Sequence, residues 1–223
     1  MNYVIDHIPK STPKNRRPAY AMQPTTITIH NTGNPSSTAR NERNWLTNPS
    51  NDRTASYHIV VDEREAIECL PLTENAWHAG DGSGVKSGNR TSIGVEICES
   101  GNYAKTLDNA AAVVADLLRA RGWGTDRLRR HFDWSGKICP RLMYDNGKWT
   151  GWAAFKKLVE ERLHPKPKEE NEVTTNVTLA AADANKIIPF LSAAYMAATD
   201  SASRAEFHRL ANELRKASNQ ATT

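Results

Sequence analysis

Cysteine is scarce in this chain: Cys69, Cys98 and Cys139 are the three among 223 residues. An odd number argues against a disulfide framework and leaves at least one thiol free for chemistry or for a metal. Long apolar runs are also lacking. No stretch approaches the ~18 residues that would cross a bilayer, so no membrane partner is expected. Met1 to Pro9 has no charged segment followed by an apolar one, which predicts synthesis and folding in a cytoplasm without a signal peptide. No G-x-S-x-G elbow is present for a serine hydrolase. Gly80 to Ser87 fails as a phosphate loop, because Val85 rather than glycine precedes Lys86. Charge of one sign is not abundant either: the net charge is +4, with 29 Lys and Arg against 25 Asp and Glu. The excess lies in residues 1–163, and with no aromatic-basic stacking platform nucleic acid is not an expected partner.

The chain is long enough for one ordinary domain and a small appendage. Residues 10–24 read as an irregular arm. Thr25 to His30 is β-branched and reads as a strand, placing His30 at its C-terminal end beside the turn Asn31 to Pro35. Ser37 to Thr47 reads as a short helix, and 56–62 with 65–70 as a β-hairpin. A Gly- and Asn-rich loop from 74 to 90 carries Trp77-His78-Ala79-Gly80, and Ser92 to Cys98 is a further strand. Apolar spacing predicts helices over 108–121 and 152–163. Interleaved strands and helices make the first part α/β, and the hairpin makes its sheet mixed. We expect a domain over 1–163, a Pro- and charge-rich linker over 164–175, and a small all-α module over 176–223. In that module Pro189 should kink or split the first helix, and Ser203 to Glu206 has the capping-box pattern for the second. Such a pair makes a marginal core alone and should dock, self-associate or bind a partner.

The segment from Arg130 to Pro140 gathers His131, Lys137 and Cys139. With His30 these give two imidazoles and one thiolate, donors that suit zinc and leave a fourth position open, as a catalytic zinc requires. No C-x2-C or H-x3-H pair is present, as a structural zinc would more often have. Spacing alone leaves open that each histidine is an isolated core or surface residue. His58 should pack on the opposite face of its strand from Tyr57. Cys69 and Cys98 read as buried small side chains. The cluster Arg127, Arg129 and Arg130 reads as a solvated helix end or as a contact for an anionic polymer.

Five blocks in order resemble the type 2 N-acetylmuramoyl-L-alanine amidase and peptidoglycan-recognition-protein superfamily. They are Ile29 to Gly33, Ser56 to His58, Trp77 to Gly80, Ser92 to Glu96, and His131 with Lys137 to Pro140. The resemblance covers about residues 20–163, with the nearest look to phage and prophage endolysins. It implies a central mixed sheet flanked by helices. It also implies a zinc hydrolase that cuts the amide between MurNAc and L-alanine in bacterial peptidoglycan, acting on the wall after release from the cell. Carried over, His30, His131 and Cys139 hold one Zn2+ per chain. Glu96 is the acid/base, Lys137 and Tyr57 support catalysis, and His78, Asn31 and Trp77 are substrate contacts. Members without a third ligand bind peptidoglycan and do not cut it, so Cys139 favours an enzyme over a receptor with a structural zinc. The helical tail is expected to bind a secondary wall polymer or to form a homodimer.

Overall fold

A computed structural model describes residues 1–165 and 179–222. The chain divides into two compact units, Met1–Pro167 and Lys168–Thr223. Most of the expected linker lies outside the described residues.

The first unit is built on a six-stranded sheet. Its strands are β1 (Asn2–Ile5), β2 (Thr26–Asn31), β3 (Ile59–Val61), β4 (Glu65–Glu68), β5 (Ser92–Ile97) and β6 (Leu128–Arg130), in the spatial order β1-β4-β3-β5-β2-β6. Only the hairpin pair β3 and β4 is antiparallel, so the sheet is mixed as expected. Helices α1 (Ala39–Thr47), α2 (Gly88–Thr91), α3 (Tyr103–Arg119), α4 (Phe132–Ser135) and α5 (Thr150–Leu163) complete the unit.

Strand alternation sorts the two faces. In the parallel pair β2 and β5, Ile27 stands beside Ile93 and Ile29 beside Val95. These side chains enter the larger core with Val114, Leu118, Phe155 and Val159 from α3 and α5. The intervening residues turn to the other face, where His30 stands beside Glu96. There α1 contributes Ala39 and Leu46 to a second core with Tyr57, Val60, Ile67 and Cys98. The sheet thus has an apolar floor on one side and carries chemistry on the other.

Several boundaries differ from expectation. Helix α3 begins five residues early, because the Asn102 side chain accepts from the Lys105 N–H and starts the helix ahead of its apolar stripe. The arginine cluster is only partly a helix end: Arg127 closes the 3-10 turn Thr125–Arg127, and Arg129 and Arg130 lie in a strand. Leu128–Arg130 is edge strand β6, with Leu128 buried, and Arg130 forms a pair with Asp133 while lying 4.4 Å from the Trp149 ring centre.

The second unit is an antiparallel helical hairpin, α6 (Ala181–Ala197) and α7 (Ser201–Ala217). Pro189 neither splits nor ends α6. The carbonyl it leaves unpaired is that of Asn185, an exposed residue, and water can satisfy it there. Helix α7 is capped by Asp200, whose carboxylate accepts from the Ser203 N–H at 2.7 Å, and not by Ser203. Glu206, the expected reciprocal partner of Ser203, pairs with Arg209.

Candidate metal centre and cleft

His30 is the penultimate residue of β2, His131 follows β6, and Cys139 lies in the loop after α4. Although 101 and 109 residues separate the latter two from His30 in the chain, the β2–β6 pairing brings all three together. Their donor atoms lie within 4.8 Å of one another, and all three residues are buried. His30 Nδ1 is 3.0 Å from His131 Nδ1 and 3.7 Å from Cys139 Sγ. A tetrahedral zinc with bonds of ~2.0–2.1 Å to nitrogen and ~2.3 Å to sulfur holds such pairs roughly 3.3 and 3.5 Å apart. The donor set fits that ion in type and spacing.

Hydrogen bonding fixes which nitrogens face the centre. The Ser92 carbonyl can only accept, so His78 Nε2, at 3.0 Å, carries a proton. Burial lowers the His78 pKa to about 3, so the ring is neutral and its Nδ1 is a bare acceptor. That atom lies 3.0 Å from His30 Nε2, which must therefore donate. The lone pair of His30 is left on Nδ1, aimed at His131 and Cys139. Burial also lowers His30 well below its ordinary value, with His78, His131 and Lys137 adding to the effect. His131 is lowered to about 4, first by burial and then by Lys137, and it also hydrogen-bonds the Ala79 backbone. The Cys139 thiol is pushed up to about 12 by burial and by Glu96, while the Asn31 backbone and Lys137 favour the thiolate. A bound dication would favour it far more.

Glu96 sits next to His30 in register. Its Oε2 is enclosed and has no hydrogen-bond partner. Burial and then Glu42 raise its pKa to about 8, and Lys137 opposes them. A carboxyl of this kind holds a proton readily, which suits a group that takes one and returns it. Lys137 is exposed on the lip of a cleft of about 220 Å3 that also includes Glu96, Cys139, Tyr57 and Trp77.

The remaining expected residues divide. His78 stands behind His30 and holds its tautomer, a role the sequence did not reveal; both its nitrogens are used within the protein. Asn31 lines the cleft, and its amide donates to Tyr103 Oη at 3.1 Å and accepts from the Leu142 N–H at 3.1 Å, so its side chain also holds the 141–143 turn. Tyr57 lines the cleft, but its hydroxyl donates to the Glu42 carbonyl at 2.8 Å. Trp77 is half-buried on the cleft wall, with its indole N–H on the Asn15 carbonyl. His58 is a core residue, as expected. It accepts from the Gly94 N–H on Nδ1, at 2.9 Å, and faces the Glu74 carbonyl with Nε2, at 2.8 Å.

Residues 20–142 match the family model described as N-acetylmuramoyl-L-alanine amidase. The chain is 48% identical over 148 residues to the N-acetylmuramoyl-L-alanine amidase XlyB of Bacillus subtilis, covering 65% of this chain and 44% of that one. It is 42% identical over 161 residues to the amidase CwlA of the same organism, covering 68% and 58% respectively. The chain thus spans about half the length of these curated relatives. Among solved structures, the catalytic domain of XlyA superposes with a TM-score of 0.64 at 42% identity, over 71% of this chain and 99% of that one. PlyL gives 0.63 at 38% identity, over 73% and 99%. A family model matched across more than half the sequence, on a fold shared with those catalytic domains, makes this chain a member of the type 2 N-acetylmuramoyl-L-alanine amidase family.

Proposed function

We propose that the chain is a zinc-dependent peptidoglycan hydrolase that cleaves the amide between the lactyl group of MurNAc and L-alanine. The observation that carries this reading is the convergence of His30 Nδ1, His131 Nδ1 and Cys139 Sγ beside the unpartnered carboxyl of Glu96. Zinc held by those three residues would polarise the scissile carbonyl and make a water acidic enough to attack near neutral pH. Glu96 takes the proton of the attacking water and delivers it to the departing nitrogen of L-alanine, so that the C–N bond breaks to a lactyl carboxyl and a free amino terminus. Lys137 faces the negative charge that grows on the carbonyl oxygen. Tyr57 shapes the wall instead, since its hydroxyl already donates to the Glu42 backbone carbonyl. Trp77 offers the substrate an aromatic face.

The setting that fits is that of a phage or prophage endolysin, acting on the wall after release. The helical module completes it by covering its exposed apolar side chains with a second copy of itself or by holding a secondary wall polymer.

Metal analysis together with product identification on purified peptidoglycan tests the reading. We expect one zinc per chain, new L-alanine amino termini, silence in chelator and rescue by zinc. Glu96→Gln should keep its zinc and release no amino termini. Binding to walls with no new termini at any zinc level would instead make the protein a peptidoglycan receptor, and wild-type turnover by Glu96→Gln would remove Glu96 from the mechanism.

A further inference from the structure

The cleft at the metal centre, about 220 Å3, is smaller than the ~300–1,000 Å3 usual for an organic ligand site. It does not end there. A second depression of about 590 Å3 runs over the N-terminal half of α1 and shares Thr32, Glu42, Trp45 and Arg53 with the cleft. The two form one continuous groove.

The lining of this second part is mostly neutral and polar. Asn34, Ser36, Ser37 and Asn41 supply neutral amides and hydroxyls, with one carboxylate and one guanidinium, Glu42 and Arg53, at the junction. Trp45 lies at that same junction. On α1 its neighbour Leu46 is 2% exposed and packs in the core, whereas Trp45 is 44% exposed and belongs to neither core cluster. An open indole among neutral amides and hydroxyls matches a saccharide, whose rings present C–H faces for stacking and hydroxyls for hydrogen bonding. A stem peptide, with its carboxylates, would call for more cations; Lys137 lies on the cleft side, and Arg53, at the junction, is the one cation lining the depression.

We infer that the depression over α1 is a glycan subsite, which binds the saccharide that continues the strand beyond the MurNAc being processed. The inference rests on the amidase reading for the identity of the strand. It predicts that the protein engages chains of sugars and not only an isolated muramyl peptide.

The test is calorimetric titration of the full chain with a GlcNAc–MurNAc oligosaccharide that carries no stem peptide. We expect one saccharide bound per chain. Trp45→Ala should weaken binding about tenfold, the scale of one lost aromatic contact with its buried area. Asn41→Ala, at an exposed position, is the second variant should Trp45→Ala fail to fold. On glycan-bearing peptidoglycan the same variants should raise KM with little change in kcat. No saccharide binding by the wild type, or undiminished binding by both folded variants, overturns the subsite. Saccharide binding without any release of amino termini would keep the subsite and overturn the amidase reading.

Discussion

Gly94 shows at the scale of one residue how the strand serves the centre. A Cβ there would lie 2.7 Å from the His78 ring, closer than atoms can sit, so His78 can reach under His30 only because position 94 has no side chain. We expect Gly94→Ala to cost ~1–3 kcal/mol of stability by overpacking. It should also weaken zinc roughly 10–100-fold, by displacing the partner that orients a ligand. A melt and a competition with a chromogenic chelator measure the two effects. His58 gives a second prediction. Burial holds its pKa near 4, against 6.5 ordinarily. The unfolded chain therefore takes up a proton that the folded one refuses, and stability falls as pH drops from about 6.5 towards 4. The loss is roughly 3 kcal/mol at the low end. Urea midpoints of the chelator-treated protein at pH 7 and pH 5 should show the decline, and equal midpoints would contradict it. At this scale the sequence was half legible. His30, His131, Cys139 and Glu96 stand in recognisable blocks. The service of His78 to His30, and that of Asn31 to Leu142, depend on side-chain directions across a loop, and no spacing in the chain encodes these.

Elements were legible where they carry a long apolar period and obscure where they do not. The helix containing Val114 and Leu118 declared itself by its stripe, while its first turn, Tyr103 to Lys105, is set by the Asn102 cap. Strands β1 and β6 escaped because each is short and on a sheet edge. Asn2–Ile5 and Leu128–Arg130 have too few buried positions to alternate. Yet β6 is what carries His131 to His30. Leu118 is fully buried between α3 and the sheet. Leu118→Ala should cost about 2–5 kcal/mol, read as a lowered denaturant midpoint, with zinc stoichiometry unchanged because the larger core lies on the sheet face away from the metal.

For the whole molecule, that separation of faces bears on what a bound zinc would be for. The first unit has a core that does not include the ligands, so chelation should silence it without unfolding it. Retained far-ultraviolet circular dichroism in chelator is the expected result, and cooperative unfolding on chelation would mark the zinc as structural. The helical module is different. Among its described residues only Ala184 and Ala211 are buried apolar side chains, while Phe190 and Met196 are 75% and 77% exposed. Its charges largely pair within each helix, as in Asp183–Lys186, Glu206–Arg209 and Glu213–Lys216. Exposed apolar side chains with self-neutralised charges suit a second copy better than an anionic polymer. Sedimentation of the full chain should show a dimer that Phe190→Glu dissociates. A monomer that labels walls through this module would favour the polymer. The sequence showed the helices and their poor core, but an unpartnered face does not name its partner.

The chain of contacts from Ser92 through His78 to His30 has one more consequence. Each ring presents its N–H to the group behind it and its lone pair to the group ahead, so the two imidazole dipoles are aligned head to tail with the strand carbonyl. Their fields add at His30 Nδ1 and make it a stronger electron donor than a lone histidine. The backbone of β5 would thereby be electronically in touch with a metal held there, and small shifts of the Ser92 carbonyl would tune its Lewis acidity without altering a single ligand.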